Sequence, residues 1–77
     1  MNKTVLSNIQ ETYNGIKYAF NPEDEYNTEY IAECKEYDEF FRAKFYAKSD
    51  YTNEQLMEIG IELAQIWGAK CLKVVKV

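Results

Sequence analysis

The sequence predicts an α+β fold: a four- to five-stranded, mostly antiparallel sheet, with one C-terminal helix packed on one face and a closing strand after it. Three observations predict this class. Apolar residues recur at helical spacing over 53–67, residues 40–48 alternate in polarity, and Asn14-Gly15 is a turn signal between two apolar runs. A chain of 77 residues is long enough for one core, so residues 1–77 are expected to form a single small domain.

The first strands are predicted to form a hairpin closed by Asn14-Gly15, because both turn positions tolerate positive φ. The turn sets three opposed pairs: Tyr13 with Ile16, Glu11 with Tyr18, and Ile9 with Phe20. One sheet face then collects the apolar side chains of Val5, Ile9, Tyr13, Ile16, Tyr18 and Phe20. Residues 3–13 also fit a helix face, and the turn signal favours the strand.

Residues 22–37 have two interpretations. Asn21-Pro22 followed by acids is typical of a helix start, and tyrosines continue at helical spacing after it. The alternation over 40–48 favours a strand there, preceded by a strand over 28–35 and a polar turn over 36–39. In that case Tyr30, Ala32 and Cys34 share one face, and the acids of the strand oppose cations of its neighbour.

The helix over 53–67 has its own start and stop signals. Thr52 and Gln55 have capping-box spacing, and Gly68 is a natural C-terminal cap. Gly60 lies on the apolar face and predicts close approach to a strand. That face comprises Leu56, Ile59, Gly60, Leu63, Ala64 and Trp67, widened by Met57 and Ile61.

Residues 71–77 are rich in β-branched side chains and predict the closing strand. Strand 40–48, the helix and this strand should form a right-handed crossover with the two strands parallel in one sheet. A single helix covers only one face of such a sheet. The opposite face is therefore expected to be open, and function is expected there.

Composition argues against several classes of function. The sequence has no histidine, the commonest general base and transition-metal ligand, and neither serine lies in a nucleophile motif. We therefore expect no enzyme, no catalytic residue, no cofactor and no metal. No apolar run approaches a membrane span and no signal peptide is evident, which predicts a cytoplasmic protein. Cys34 and Cys71 are expected to be reduced and buried.

Acidic residues concentrate between 23 and 39, where eight carboxylates face a lone Lys35 in a chain of net charge −4. Tyrosines interleave with them, and tyrosine is common in protein-binding hot spots. The leading hypothesis is a non-catalytic module that uses this segment to block a basic, nucleic-acid-binding site on a protein partner. The predicted partner-binding residues are Glu25, Tyr26, Glu29, Tyr30, Glu33, Glu36, Tyr37, Asp38 and Glu39.

Two alternatives belong to other classes. One is a single-stranded nucleic-acid-binding module whose basic strand face carries Arg42, Lys44, Tyr46 and Lys48. A pI near 4.7 and pairing of these cations with nearby acids count against it. The other is a homodimeric accessory domain that buries its open sheet face and has no separate ligand.

The chain resembles one known class of proteins in four respects: its size, its acidity, its tyrosine content and the order of elements over residues 40–77. In that order, Ala47-Lys48-Ser49-Asp50 joins strand to helix and Ile66-Trp67-Gly68-Ala69 joins helix to strand. The pattern resembles small phage- or mobile-element-encoded inhibitors of the anti-CRISPR kind. The resemblance implies a stoichiometric, non-enzymatic inhibitor that blocks a host defence complex, commonly at its nucleic-acid-binding surface. It transfers no individual residue.

Overall fold

One five-stranded sheet and one helix form the fold over residues 8–77, the part of the chain that the computed structural model describes. The elements are β1 (Ile9–Glu11), β2 (Lys17–Ala19), β3 (Thr28–Glu36), β4 (Glu39–Ala47), α1 (Asn53–Ile66) and β5 (Lys70–Lys76). The strand order is β1-β2-β4-β3-β5, and every neighbouring pair is antiparallel. The predicted fold class is confirmed, and residues 28–36 are strand rather than helix.

The hairpin of β1 and β2 has a three-residue loop over 13–15 instead of the predicted two-residue turn. The N–H of Thr12 donates to the carbonyl of Ile16 at 3.0 Å, and Gly15 has a φ of 81°. Ile9 therefore pairs with Ala19, and Glu11 with Lys17. A slip of one residue reverses the face of one strand relative to the other.

The predicted apolar face of this hairpin is consequently wrong. Tyr18 enters the core opposite Gln10, whereas Tyr13 and Phe20 are exposed. Ile9 lies on the face opposite to Tyr18, because it pairs with Ala19. The prediction for Val5 lies outside the described residues.

The long hairpin of β3 and β4 supplies the centre of the sheet. Its register runs from Thr28 opposite Ala47 to Glu36 opposite Glu39, and the predicted alternation is confirmed. The inward side chains pack under the helix and are buried: Tyr30, Ala32 and Cys34 from β3, with Ala43, Phe45 and Ala47 from β4. The Phe45 ring lies between Tyr18, at 6.1 Å between centroids, and Tyr30, at 5.7 Å.

Both ends of α1 are fixed by local hydrogen bonds, as the sequence predicts. The Thr52 hydroxyl accepts from the N–H of Gln55 at 3.2 Å, and the Gln55 side chain accepts from the N–H of Thr52 at 2.8 Å. At the other end Gly68 has a φ of 67°, and the N–H groups of Gly68 and Ala69 donate to the last-turn carbonyls. This is the Schellman arrangement, which glycine favours at this position.

The buried face of α1 comprises Leu56, Ile59, Gly60, Leu63 and Ala64. Ile61 is exposed and Trp67 is 50% exposed, so the apolar face is narrower than predicted. A Cβ on Gly60 would lie 2.7 Å from Cys71 Sγ and 2.8 Å from Val74 Cγ2. The predicted close approach of helix and strand at Gly60 is therefore confirmed, and the strand is β5.

The crossover through α1 joins two parallel strands that are not neighbours. β4 and β5 are each antiparallel to β3, which lies between them. The prediction that β4 and β5 are parallel within one sheet is correct. Because β3 lies between them, the two strands do not pair with each other, and each pairs with β3 in antiparallel orientation. Within residues 8–77 no helix is long and apolar enough to cross a membrane.

Candidate functional site

The face of β3, β4 and β5 turned away from α1, here called the open face, is cationic. Alternation along the paired strands assigns eleven side chains to it: Glu29, Ile31, Glu33 and Lys35 of β3, Phe40, Arg42, Lys44 and Tyr46 of β4, and Lys70, Lys73 and Val75 of β5. Five cations and two carboxylates give it a net charge of +3, whereas the whole chain carries −4. The two signs of charge are therefore segregated in space.

Both carboxylates of the open face have cationic partners. Lys44 Nζ lies 3.9 Å from Glu29, and Lys73 Nζ lies 3.9 Å from Glu33. The Tyr46 hydroxyl also donates to Glu29, at 3.4 Å. Exposed pairs at such distances contribute only about 0–1 kcal/mol each. Their main effect is to occupy the two acids of this face.

Three cations of the open face have no carboxylate partner among residues 8–77: Lys35, Arg42 and Lys70. Lys35 and Lys70 lie directly opposite each other in the β3–β5 register. Lys35 Nζ is also 5.3 Å from the centroid of the Phe40 ring, which is 69% exposed. A surplus of positive charge and an exposed ring thus occupy the same end of the face.

The predicted partner-binding residues do not form one surface. Glu25 and Tyr26 precede β3, Glu29 and Glu33 lie on the open face, and residues 36–39 follow at the far end of the strand. The nine residues of β3 separate the two ends. At a rise of about 3.3 Å per residue, that separation is roughly 26 Å. Tyr30 is buried in the core, which removes it from any binding surface.

Lys48 pairs with Glu25 and Tyr26 at their end of the sheet. Its Nζ lies 3.5 Å from the Glu25 carboxylate and 5.7 Å from the centroid of the Tyr26 ring. Lys48 directly follows β4 and points to this cluster, so it is not part of the basic strand face on which it was predicted. Of that predicted set, Arg42, Lys44 and Tyr46 do share the open face.

The β3–β4 turn, residues 36–39, is here called the acidic tip. Tyr37 is 90% exposed at a φ of 57°, a backbone region that side chains other than glycine seldom occupy. The three carboxylates beside it, Glu36, Asp38 and Glu39, have no cationic partner within residues 8–77. The acidic tip therefore presents an aromatic ring amid unneutralised negative charge.

Further aromatic surface lies close to the acidic tip. Trp67, at the C-terminus of α1, meets Phe41 edge-to-face at 5.5 Å and keeps half of its surface exposed. Phe40 directly follows the tip on the open face. Sequence reasoning missed both residues, because helical spacing placed Trp67 on the buried face and alternation drew attention to the cations of β4.

Replacement of Tyr37 by glycine should stabilise the fold. An L-residue in the left-handed region costs roughly 1–2 kcal/mol, which glycine avoids, although glycine also loses more backbone entropy on folding. We expect Tyr37→Gly to raise the free energy of unfolding by about 0.5 kcal/mol in urea denaturation. Asp38→Gly, at the neighbouring position without positive φ, is the control and should destabilise. A loss of stability in Tyr37→Gly would show that the tyrosine ring contributes to the fold.

The two cysteines face each other across β3 and β5; Cys34 is buried as predicted, whereas Cys71 is only partly buried. Both are free thiols, and they occupy opposed register positions. Burial and, next, the neighbouring Cys34 together raise the pKa of Cys71 to about 11; burial also raises the pKa of Cys34. Thiols with raised pKa values stay protonated near neutral pH, when their nucleophilicity is low.

Metal ligands are likewise not gathered at one place in the described part of the chain. No group of three or more Cys, Asp or Glu side chains in residues 8–77 is arranged to hold a metal ion. The carboxylates of the acidic tip are side by side in sequence, and a cluster of that kind is ordinarily a solvated surface. The open face and the acidic tip therefore provide charged groups and exposed aromatic rings.

Comparison with known proteins adds no relative: the chain matches no protein-family model, no curated protein and no solved structure.

Proposed function

We propose that this chain is a non-catalytic protein-binding module whose acidic tip occupies a basic site on a partner protein. The observation that carries the proposal is Tyr37, a tyrosine 90% exposed at positive φ, beside carboxylates that form no ion pair within residues 8–77. Backbone strain at an exposed position is retained at a cost to stability, and such positions concentrate at functional sites. The acids beside it, Glu36, Asp38 and Glu39, supply the charge.

The mechanism is occlusion. Arginine and lysine side chains of a groove that binds nucleic acid would meet the tip carboxylates in place of phosphates, forming charge-assisted hydrogen bonds. The Tyr37 ring would enter the same groove as an anchor, because a tyrosine buries large area while losing little side-chain entropy. Phe40, next to the tip on the open face, and Trp67, which packs on Phe41 on the helix side, would extend the contact as apolar surface.

The role that follows is stoichiometric inhibition in the cytoplasm, in the manner of small phage-encoded inhibitors of host defence complexes. Support comes from the location of the charge: in the described part of the chain the tip acids form no ion pair, whereas Glu25, Glu29 and Glu33 each lie within 4 Å of a lysine. The binding surface is accordingly smaller than the segment 23–39. It consists of the acidic tip and the aromatic residues that flank it.

The test is affinity capture from bacterial lysate with the full chain as bait. Asp38→Lys/Glu39→Lys reverses two exposed charges at the tip, and Tyr37→Ala removes the anchor. We expect both variants to lose a partner that the unaltered chain retains, with Tyr37→Ala weakening its binding about 30-fold, the scale of a 2 kcal/mol hot spot. The purified partner should also lose its nucleic acid when the unaltered chain binds.

The matched control is Glu11→Lys/Asp50→Lys, which makes the same change of charge at two exposed positions remote from the tip in sequence. It should capture the same partner as the unaltered chain. If the tip variants and the control capture identical sets of proteins, the acidic tip is not the binding surface. If a partner is found but keeps its nucleic acid in the complex, occlusion is the wrong mechanism.

A further inference from the structure

The open face keeps an arrangement of cations that is unfavourable for the isolated chain. Lys35 and Lys70 lie opposite each other, and like charges in directly opposed strand positions destabilise a sheet. Arg42 lies on the adjacent strand, opposite Glu33, whose carboxylate is already held by Lys73. The two acids of this face pair with Lys44 and Lys73, and within residues 8–77 none of the three clustered cations, Lys35, Arg42 and Lys70, forms an ion pair. An anionic ligand would relieve this repulsion.

Two aromatic rings lie on the same face. The β4 residues on this face are, in order, Phe40, Arg42, Lys44 and Tyr46, so one ring lies at each end of a pair of cations. Alternate residues of a strand are about 7 Å apart. Phe40 is 69% exposed and is therefore available for stacking, whereas Tyr46 is partly covered and bonded to Glu29. Charge and a stacking surface therefore lie next to each other on a sheet face that α1 does not cover.

We infer that the open face is a binding site for single-stranded nucleic acid, with phosphates at Lys35, Arg42 and Lys70 and a base stacked on Phe40. Single-stranded nucleic acids are held by a cationic surface that follows the backbone together with aromatic side chains under the bases. A duplex keeps its bases stacked internally and cannot use Phe40 in this way. An acidic peptide would satisfy the cations but offers a ring to Phe40 only where it carries an aromatic residue, whereas every nucleotide carries a base.

The acidity of the whole chain weakens this binding without preventing it. Fields of exposed charges are screened over about 10 Å at 0.1 M salt. The acids of α1 project from the other side of the sheet, where the helix packs about 10 Å away. The nearest unpaired acids are those of the acidic tip. We therefore expect affinity that is modest, strongly dependent on salt, and stronger when the tip acids are removed.

The test is fluorescence anisotropy with a labelled oligothymidylate of about 12 nucleotides, the scale of a single-strand site on a small domain, at low and moderate salt. Arg42→Gln/Lys70→Gln should weaken binding at least tenfold and reduce the slope of log K against log salt by about 1.4, since each lost phosphate contact contributes about 0.7. Phe40→Ala should weaken it by about fivefold or more, the effect of losing one stacked base.

The matched control is Lys48→Gln/Lys76→Gln, which removes the same charge from the residues after β4 and at the end of β5. Lys48 points to Glu25, and Lys76 pairs with the inward-facing Tyr30, so neither belongs to the open face. The control should bind within about twofold of the unaltered chain. We expect each variant to fold, since all five replaced side chains are exposed or only partly covered, and thermal unfolding of each variant checks this.

Three results would overturn the inference: no binding at low salt, equal losses in the control and in Arg42→Gln/Lys70→Gln, or competition by poly-glutamate as effective as that by oligothymidylate. The last would identify an acidic protein segment as the ligand instead. The tip variant Asp38→Lys/Glu39→Lys separates this site from the proposed function. It should lose the protein partner and bind the oligonucleotide more tightly, so either property can fail while the other stands.

Discussion

Phe45→Ala should remove a large part, about half, of the stability of the fold. The side chain is fully buried, and its ring contacts Tyr18 and Tyr30 under the helix. Truncating a buried phenylalanine costs about 3–5 kcal/mol, because the transfer free energy is lost and a cavity remains. At about 0.05–0.15 kcal/mol per residue, a chain of this length has roughly 4–12 kcal/mol in total. Urea denaturation followed by circular dichroism would measure the loss.

The matched control for this prediction is Phe40→Ala on the same strand. Phe40 points to the open face and is 69% exposed, so its truncation removes little buried area. Surface substitutions usually change the free energy of unfolding by less than about 0.5 kcal/mol. Equal losses for Phe40→Ala and Phe45→Ala would contradict the assignment of the two faces of β4. The same variant then serves, in folded form, for the oligonucleotide experiment.

Gly60→Leu should be nearly as damaging, although leucine is much the better helix former. The exchange favours the helix by about 1 kcal/mol, so any net loss must come from packing. The added Cβ alone would lie 2.7 Å from Cys71 Sγ and 2.8 Å from Val74 Cγ2, and three more carbons follow it. The helix must then separate from β5. Overpacking costs about 1–3 kcal/mol and occasionally more, and we expect a net loss near 3 kcal/mol in urea denaturation.

A double-mutant cycle gives the control for Gly60. Gly60→Ala inserts only the Cβ, and its effect should be smaller in a Val74→Ala background, in which Cγ2 is absent. Ile61→Leu, one residue along and exposed, should change stability by less than about 0.5 kcal/mol. If Gly60→Leu were neutral or stabilising, helix and strand would not approach as closely as described.

Elements with local signals could be predicted from the sequence. The capping box at Thr52, the glycine stop at Gly68 and the alternation along β4 are each set by a few consecutive residues, and all three are confirmed. The register of the first hairpin could not be predicted in this way. Asn14-Gly15 suits a two-residue turn and also a three-residue loop with glycine in the left-handed position, and tertiary packing of Tyr18 decides between them.

The candidate sites could not be located from local sequence patterns, because they depend on which strands pair and how far the strands extend. Acids that are near in sequence were separated because β3 runs through the middle of them as an extended strand. Lys70 and Lys73 lie on the open face because β5 pairs with β3. These two strands are far apart in sequence, so local sequence patterns do not predict their pairing. Two predictions for Tyr30 conflict with each other. The alternation of the strand predicts that Tyr30 points inward with Ala32, and this is correct. The acidic, tyrosine-rich composition of the segment suggests Tyr30 as a binding anchor, but the side chain is buried.

The position of β5 at the edge of the sheet has a consequence for solubility. An unpaired strand edge is a template for addition of strands from other chains, and lysines along it oppose such growth. β5 carries Lys70, Lys73 and Lys76 among Leu72, Val74 and Val75. Acetylation or mutation of these lysines would leave a nearly uncharged, β-branched edge, the signature of segments that form cross-β fibrils. The same ammonium groups would then oppose edge-to-edge association whether or not a ligand is bound.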